Sequence, residues 1–234
     1  MYTLITLGPL RMSTYGLCLL AATFIWWTWS ERSLIKNNLP PADWVLPGVI
    51  VAAWLGGRLG VILLQTTSLL DAVTQLSTVR VFEFQWWSAI GVALIMLVRV
   101  LPQSFSGSVP HMLVPLLVAY GMATLGATIG GTAVGTPTAL PWGIESYGNI
   151  RHPVGLYAAL IVWSGAVWVA RRQRAGAPIG WATIGVFAAQ ELVCGGFRLN
   201  GWVIGGGLHV TQLVGLVTLI VARERVIMTH HRET

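Results

Sequence analysis

Apolar residues in this chain come in long blocks, parted by short polar or charged pieces. The blocks cover about 14–30, 44–65, 86–100, 111–130, 153–170, 178–197 and 206–222. Most are long enough, at roughly 18 or more residues, to carry a helix across about 30 Å of hydrocarbon. The pattern predicts an all-α, polytopic membrane protein with seven transmembrane helices in a single domain, 1–234. No internal repeat or low-complexity tract interrupts it. Composition agrees, since 55% of the 234 residues are hydrophobic and 9% are charged. A soluble domain carries about 25% charged residues, so this chain lacks the means to cover a water-facing surface.

Charge placement orders the spans. The net charge of +6 rests on arginine, Lys36 being the only lysine. Arg32 and Lys36 follow the first span, Arg99 ends the third, Arg171, Arg172 and Arg174 follow the fifth, and Arg223, Arg225 and Arg232 follow the seventh. An outside N-terminus and a cytoplasmic C-terminus put all of these on the inner side, as the positive-inside rule requires. In a soluble protein this basic balance would suggest nucleic acid; in a bundle of spans it reports topology, and no nucleic-acid partner is expected. No basic n-region or small-residue cleavage site precedes the first span, so no removable signal peptide is expected.

The outer side then holds the longer connections, 1–13, 66–85, 131–152 and 198–205. The second of these suits a short interfacial helix with Leu69, Leu70, Val73 and Leu76 on one side. Tryptophans at 26, 27, 29, 86, 87, 142 and 202 fall near span ends, the place of an aromatic belt. Cys18 and Cys194 lie inside apolar runs without metal-ligand spacing and read as small buried hydrophobes.

Ionisable groups at membrane depth are rare enough to name. Arg58, in AWLGGRLGVILLQ, and Glu191, in FAAQELVCGGF, sit about two-thirds along the second and sixth spans. A lone charge there costs at least about 2.5–3.5 kcal/mol, which an Arg58–Glu191 ion pair would relieve. Such a pair either fixes helix packing or walls a cavity that meets a polar ligand. Arg198 follows Glu191 by seven residues on the same helix face, and Arg151 and His152 stand just before the fifth span. Guanidinium groups bind phosphate bidentately, and the abundant phosphate at a membrane edge belongs to lipid headgroups. Each arginine taken singly also fits ordinary snorkelling. His209, in GGGLHVTQLVGL, and His111 are polar packing residues or, alternatively, porphyrin ligands.

The stretch GGTAVGTPTALPWGI at 130–144 carries glycine, proline and tryptophan but no charge. With RHP close behind it, Gly131, Gly135, Pro137 and Pro153 are expected to shape a structural turn at the membrane edge.

Placed in order, these pieces resemble the prolipoprotein diacylglyceryl transferases, membrane enzymes that lipidate the cysteine of bacterial prelipoproteins. LGPLRMSTYGL at 7–17 is similar to the family's opening G-P-x-x-x-x-x-Y-G-L, with Tyr15 at its tyrosine. GGRLG at 56–60 matches G-G-R-[IL]-G, GTPT at 135–138 resembles G-R-P-T, and RHPVGLY at 151–157 resembles R-H-P-x-Q-L-Y-E. GGFR at 195–198 is similar to E-F-F-R, and VTQLVGL at 210–216 to a late G-Q-L-L-S-L. The resemblance implies a bacterial inner-membrane location and a phospholipid partner with no cofactor. Tyr15, Arg58, Arg151, His152 and Arg198 would be the lipid- and phosphate-binding residues. It also implies a reaction, transfer of a diacylglyceryl group from phosphatidylglycerol to a thiol with release of glycerol phosphate. That step needs a base for the thiol and cations for the leaving phosphate.

Those groups are the ones this sequence replaces. Set without gaps on Gly135, the family's G-R-x-G-N-x-x-N-G-E-x-x-G signature puts its arginine on Thr124, its asparagines on Ala127 and Gly130, and its glutamate on Thr132. The histidine of the family's F-H-G-G segment falls on Gln85 or Trp86. Counting back from Arg198, a sixth-span tyrosine becomes Val186 and an arginine becomes Glu191; in the R-H-P motif, glutamine and glutamate become Gly155 and Ala158. A cation exchanged for an anion about 4 Å from a charge reverses a term of around 4 kcal/mol at an effective dielectric near 20. The expectation is a catalytically silent relative that keeps a phospholipid-binding cavity and packs as an accessory subunit among other membrane proteins. Two alternatives are an active transferase with His152 as base and a pigment- or quinone-associated subunit.

Overall fold

In a computed structural model, residues 4–7, 10–39, 45–65, 92, 95, 107–199, 203–204 and 207–231 are described. Their elements in chain order are a hairpin of β1 (Leu4–Leu7) and β2 (Leu10–Ser13), helix α1 (Thr14–Lys36), α2 (Val45–Gln65) and α3 (Val109–Ile129). A second hairpin, β3 (Ile144–Ser146) with β4 (Asn149–Arg151), leads into α4 (Val154–Arg174) and α5 (Gly180–Gly195). A short third hairpin, β5 (Val203–Ile204) with β6 (Leu208–His209), opens into α6 (Val210–His231). The six helices coincide with six of the seven expected spans. The expected span at 86–100, apart from residues 92 and 95, and the expected interfacial helix at 66–85 lie outside the described residues. Of the described helices, α3 and α4 are long and apolar enough throughout to cross a membrane.

The chain divides into two compact units, Met1–Trp26 with Pro110–Thr234, and Trp27–Val109. In the first, Leu117 of α3, Val162, Ala166 and Val169 of α4, and Ala182 and Val186 of α5 make the main core. A smaller core joins Ala22 of α1 to Ala119 and Ala123 of α3. Small residues let the backbones close in. Trp163 of α4 lies over Gly121 and donates its indole N–H to the Val118 carbonyl at 3.1 Å. The α5 backbone passes so near Gly215 of α6 that a Cβ there would stand 2.9 Å from the Ala188 oxygen. In the second unit, Leu34 and Ser30 of α1 are fully buried, and Val49 and Ile62 of α2 nearly so.

Three helices stop in the same way. At the end of α3, Thr132 N–H donates to the Ala127 carbonyl (2.8 Å) and Gly131 N–H to that of Thr128 (3.0 Å), with Gly131 at φ 74°. The same pair of bonds ends α4 around Gly176 (φ 76°) and α1 around Asn38 (φ 52°). This is the Schellman arrangement, whose left-handed residue suits glycine or asparagine. It accounts for Gly131, and Gly131→Ala is expected to lower stability by about 1 kcal/mol, seen as a fall in the unfolding midpoint in detergent.

The all-α expectation needs one addition. The connections around 4–13, 144–151 and 203–209 carry two-stranded hairpins, because a short loop that must reverse direction satisfies its backbone groups most easily by pairing with itself. In the second hairpin Ser146 pairs with Asn149, and Tyr147 and Gly148 both take positive φ (51° and 73°), as a type I′ turn requires.

Candidate functional site

The residues singled out at 130–152 and 191–198 meet where α3, α4 and α5 end or begin. After the Schellman turn the chain runs extended through Gly135–Thr138 and is paired on both sides. Gly135 bridges Arg198 and Pro137 bridges Arg151, both antiparallel. Gly135 N–H donates to the His152 carbonyl (2.8 Å), Thr136 N–H to Phe197 (2.8 Å), Thr138 N–H to Ile150 (2.9 Å), and His152 N–H returns to Thr136 (3.1 Å). Pro137 fits this ladder because the Ile150 and Phe197 carbonyls are taken by its neighbours, so its missing N–H costs no bond. Gly135 is required by space: a Cβ there would overlap the Phe197 carbonyl oxygen and lie 2.6 Å from Val154 Cγ2. Pro153 caps α4 at φ −78° and is fully buried, its carbonyl accepting from Leu156 (3.0 Å) and Tyr157 (3.2 Å). All four residues expected to shape a turn therefore stand in one backbone frame, with Val154, Ala158 and Cys194 packed beneath it.

The charged groups are held inside that frame. Arg151 Nε donates to the Ser146 carbonyl at 3.1 Å and an Nη to the Gly135 carbonyl at 3.3 Å. Arg198 pairs with Glu191 at 2.8 Å, the two side chains 37% and 30% exposed. Glu191 was expected to meet Arg58; its partner here is Arg198, and the side chain of Arg58 lies outside the described residues. The second carboxylate oxygen of Glu191 is buried, with no hydrogen-bond partner among the described residues. His152 Nδ1 lies 3.3 Å from the Tyr157 hydroxyl, whose oxygen also accepts the Trp142 indole N–H at 2.8 Å. The imidazole stacks on Phe197, ring centres 4.7 Å apart. Tyr15, at the start of α1, is half-buried against Gly130, where a Cβ would come within 2.9 Å of its own Cβ.

Tyr157, Phe197 and Trp142 are the site residues that sequence reasoning passed over. The first two lie within the quoted RHPVGLY and GGFR pieces, so their motifs were the available signal. Gln190 is another: fully buried, it accepts from the Tyr120 hydroxyl at 3.1 Å. The two histidines weighed as porphyrin ligands lie apart from this frame in sequence. His111 is in the first turn of α3. His209 closes the third hairpin with a buried Nδ1 that has no partner among the described residues, and its backbone N–H donates to Gln212 at 3.1 Å.

The sequence profile of the prolipoprotein diacylglyceryl transferase family matches residues 2–228. The chain belongs to that family. It is thus a mostly helical membrane protein of a transferase family found in the bacterial inner membrane, acting on membrane lipid and lipoprotein substrates. No individually curated protein matches the chain significantly. The diacylglyceryl transferase match spans the entire backbone frame described above.

Proposed function

We propose that this member of the diacylglyceryl transferase family is catalytically silent and serves as a phospholipid-binding, accessory subunit of a membrane complex. It has seven spans, an outside N-terminus and a cytoplasmic C-terminus. The observation that carries the reading is that the frame's cations and its imidazole are engaged within the protein. Arg151 donates to two backbone carbonyls, Arg198 is neutralised by Glu191, and His152 faces Tyr157. A phosphate approaching Arg198 meets a carboxylate beside it, and charge-assisted bonds already made must be broken before new ones form.

The histidine argues the same way. The Tyr157 oxygen already accepts from Trp142, so its own hydrogen is available to Nδ1 of His152. In the tautomer where Nδ1 accepts that hydrogen, the ring proton sits on Nε2 and no acceptor nitrogen is left open to draw a proton from a thiol. The lipid would then be held as a structural component, without turnover.

The test is a transfer assay with phosphatidylglycerol and a lipobox peptide in detergent micelles. No product above the enzyme-free control is expected, and the protein is expected to copurify with a stable membrane partner after gentle extraction. Product formation that His152→Ala abolishes would establish the active transferase instead. A visible absorption band in the purified chain would support the pigment-bearing alternative.

A further inference from the structure

At the end of α4, α5 and α6 remote from Arg151 and His152, the helices part around a cavity of about 580 Å³. Its floor is Ala182, Val186 and Ala222, all buried, and Gly185 leaves it open. Its walls are Trp168 and Trp181, each partly exposed, and Arg223 is its one ionisable lining residue. Both wall tryptophans are topped by guanidinium groups, Arg172 at 5.6 Å from the Trp168 ring and Arg225 at 5.7 Å from that of Trp181. With Arg171 and Arg174, five arginines gather at this end, and among the described residues of these three helices the carboxylate there is that of Glu224, which pairs with Arg223 at 3.1 Å. The Nε–H of Arg172 is buried and has no hydrogen-bond partner among the described residues.

We propose that this groove binds an anionic phospholipid, one acyl chain lying over Ala182 and Ala222 and the phosphate held by Arg172 and Arg225. The size lies in the range of small-ligand pockets, about 300–1,000 Å³. An apolar trough rimmed by cations complements a molecule with a hydrocarbon tail and an anionic head. Tryptophan walls under guanidinium groups belong at the headgroup level of a membrane. The phosphate supplies acceptor oxygens to the buried Arg172 N–H without bringing a donor of its own. The positive-inside rule puts this end in the cytoplasm, where anionic headgroups attract basic pockets between helices. The site is separate from the Arg151–Arg198 frame, so it stands whether or not that frame performs transfer.

Native mass spectrometry of the full chain, equilibrated in mild detergent with equal phosphatidylglycerol and phosphatidylethanolamine, tests it. The wild type is expected to retain one more phosphatidylglycerol than the Gly185→Leu variant, and to take it in preference to phosphatidylethanolamine. Arg172→Gln with Arg225→Gln is expected to weaken that binding roughly 30-fold, about fivefold for each arginine. Gly185→Leu is expected to abolish it by filling the trough, since a Cβ there meets only Ala222 at 3.6 Å and Leu219 at 3.9 Å. Tyr147→Ala, at the exposed tip of the second hairpin, is expected to leave it unchanged. The proposal falls if the wild type shows no preference for the anionic lipid, if the arginine pair variant binds as tightly as the wild type, or if Tyr147→Ala abolishes binding. It falls equally if a second polypeptide occupies the protein and no lipid is retained.

Discussion

Gly135→Ala is expected to destabilise the protein by about 2–3 kcal/mol, the cost of forcing a methyl into a filled site. The added carbon would overlap the Phe197 carbonyl oxygen, and that oxygen is fixed by the Thr136 N–H at 2.8 Å. A side chain could rotate away, but a bonded backbone carbonyl can retreat only by opening the ladder that joins β4 to the end of α5. The comparison is Gly180→Ala, at the first position of α5, where a Cβ meets nothing within 4 Å. That variant is expected to stay within about 0.5 kcal/mol of the parent. Unfolding midpoints of the two in one detergent decide the matter: equal midpoints would show that the frame around Gly135 is not the constraint described.

A second large effect is expected at the ion pair. Glu191→Leu and Arg198→Met should each cost about 2 kcal/mol, below the 3–5 kcal/mol of a fully buried pair because both side chains are partly exposed. The double variant should recover to within about 1 kcal/mol of the parent, since no uncompensated charge is left behind. Strictly additive losses in the double-mutant cycle would mean that the 2.8 Å contact carries no coupling and that Glu191 does not neutralise Arg198.

The helices were legible because span length and charge spacing are one-dimensional properties. Their ends were less so. The first span was expected to stop near residue 30, yet α1 runs to Lys36, since Glu31 and Arg32 extend a helix without difficulty and the stop comes from Asn38 in the left-handed region. The last was expected to stop near 222, and α6 runs to His231. A hydropathy pattern reports where a helix leaves hydrocarbon, not where its hydrogen bonds end. The turn residues Gly131, Gly135, Pro137 and Pro153 were legible because each has few conformational uses. The employment of Arg151 was not. Nothing in RHP says whether a guanidinium faces a phosphate or the Ser146 and Gly135 carbonyls, because those acceptors are created only when the second hairpin folds back. Among the described residues Glu191 meets Arg198, three residues past the end of α5, while the side chain of Arg58 lies outside them.

The type I′ bend at Tyr147–Gly148 has a further consequence. Tyr147 is exposed, while both arms leading from the bend are stitched to their neighbours: Thr136 and Thr138 on one side, Ile150 and His152 on the other. A peptide cleaved at that tip would leave two pieces whose new ends are already laced together across the cut. The polypeptide is therefore divisible there in principle, and a gene split at the same codon could encode halves able to find each other in the bilayer.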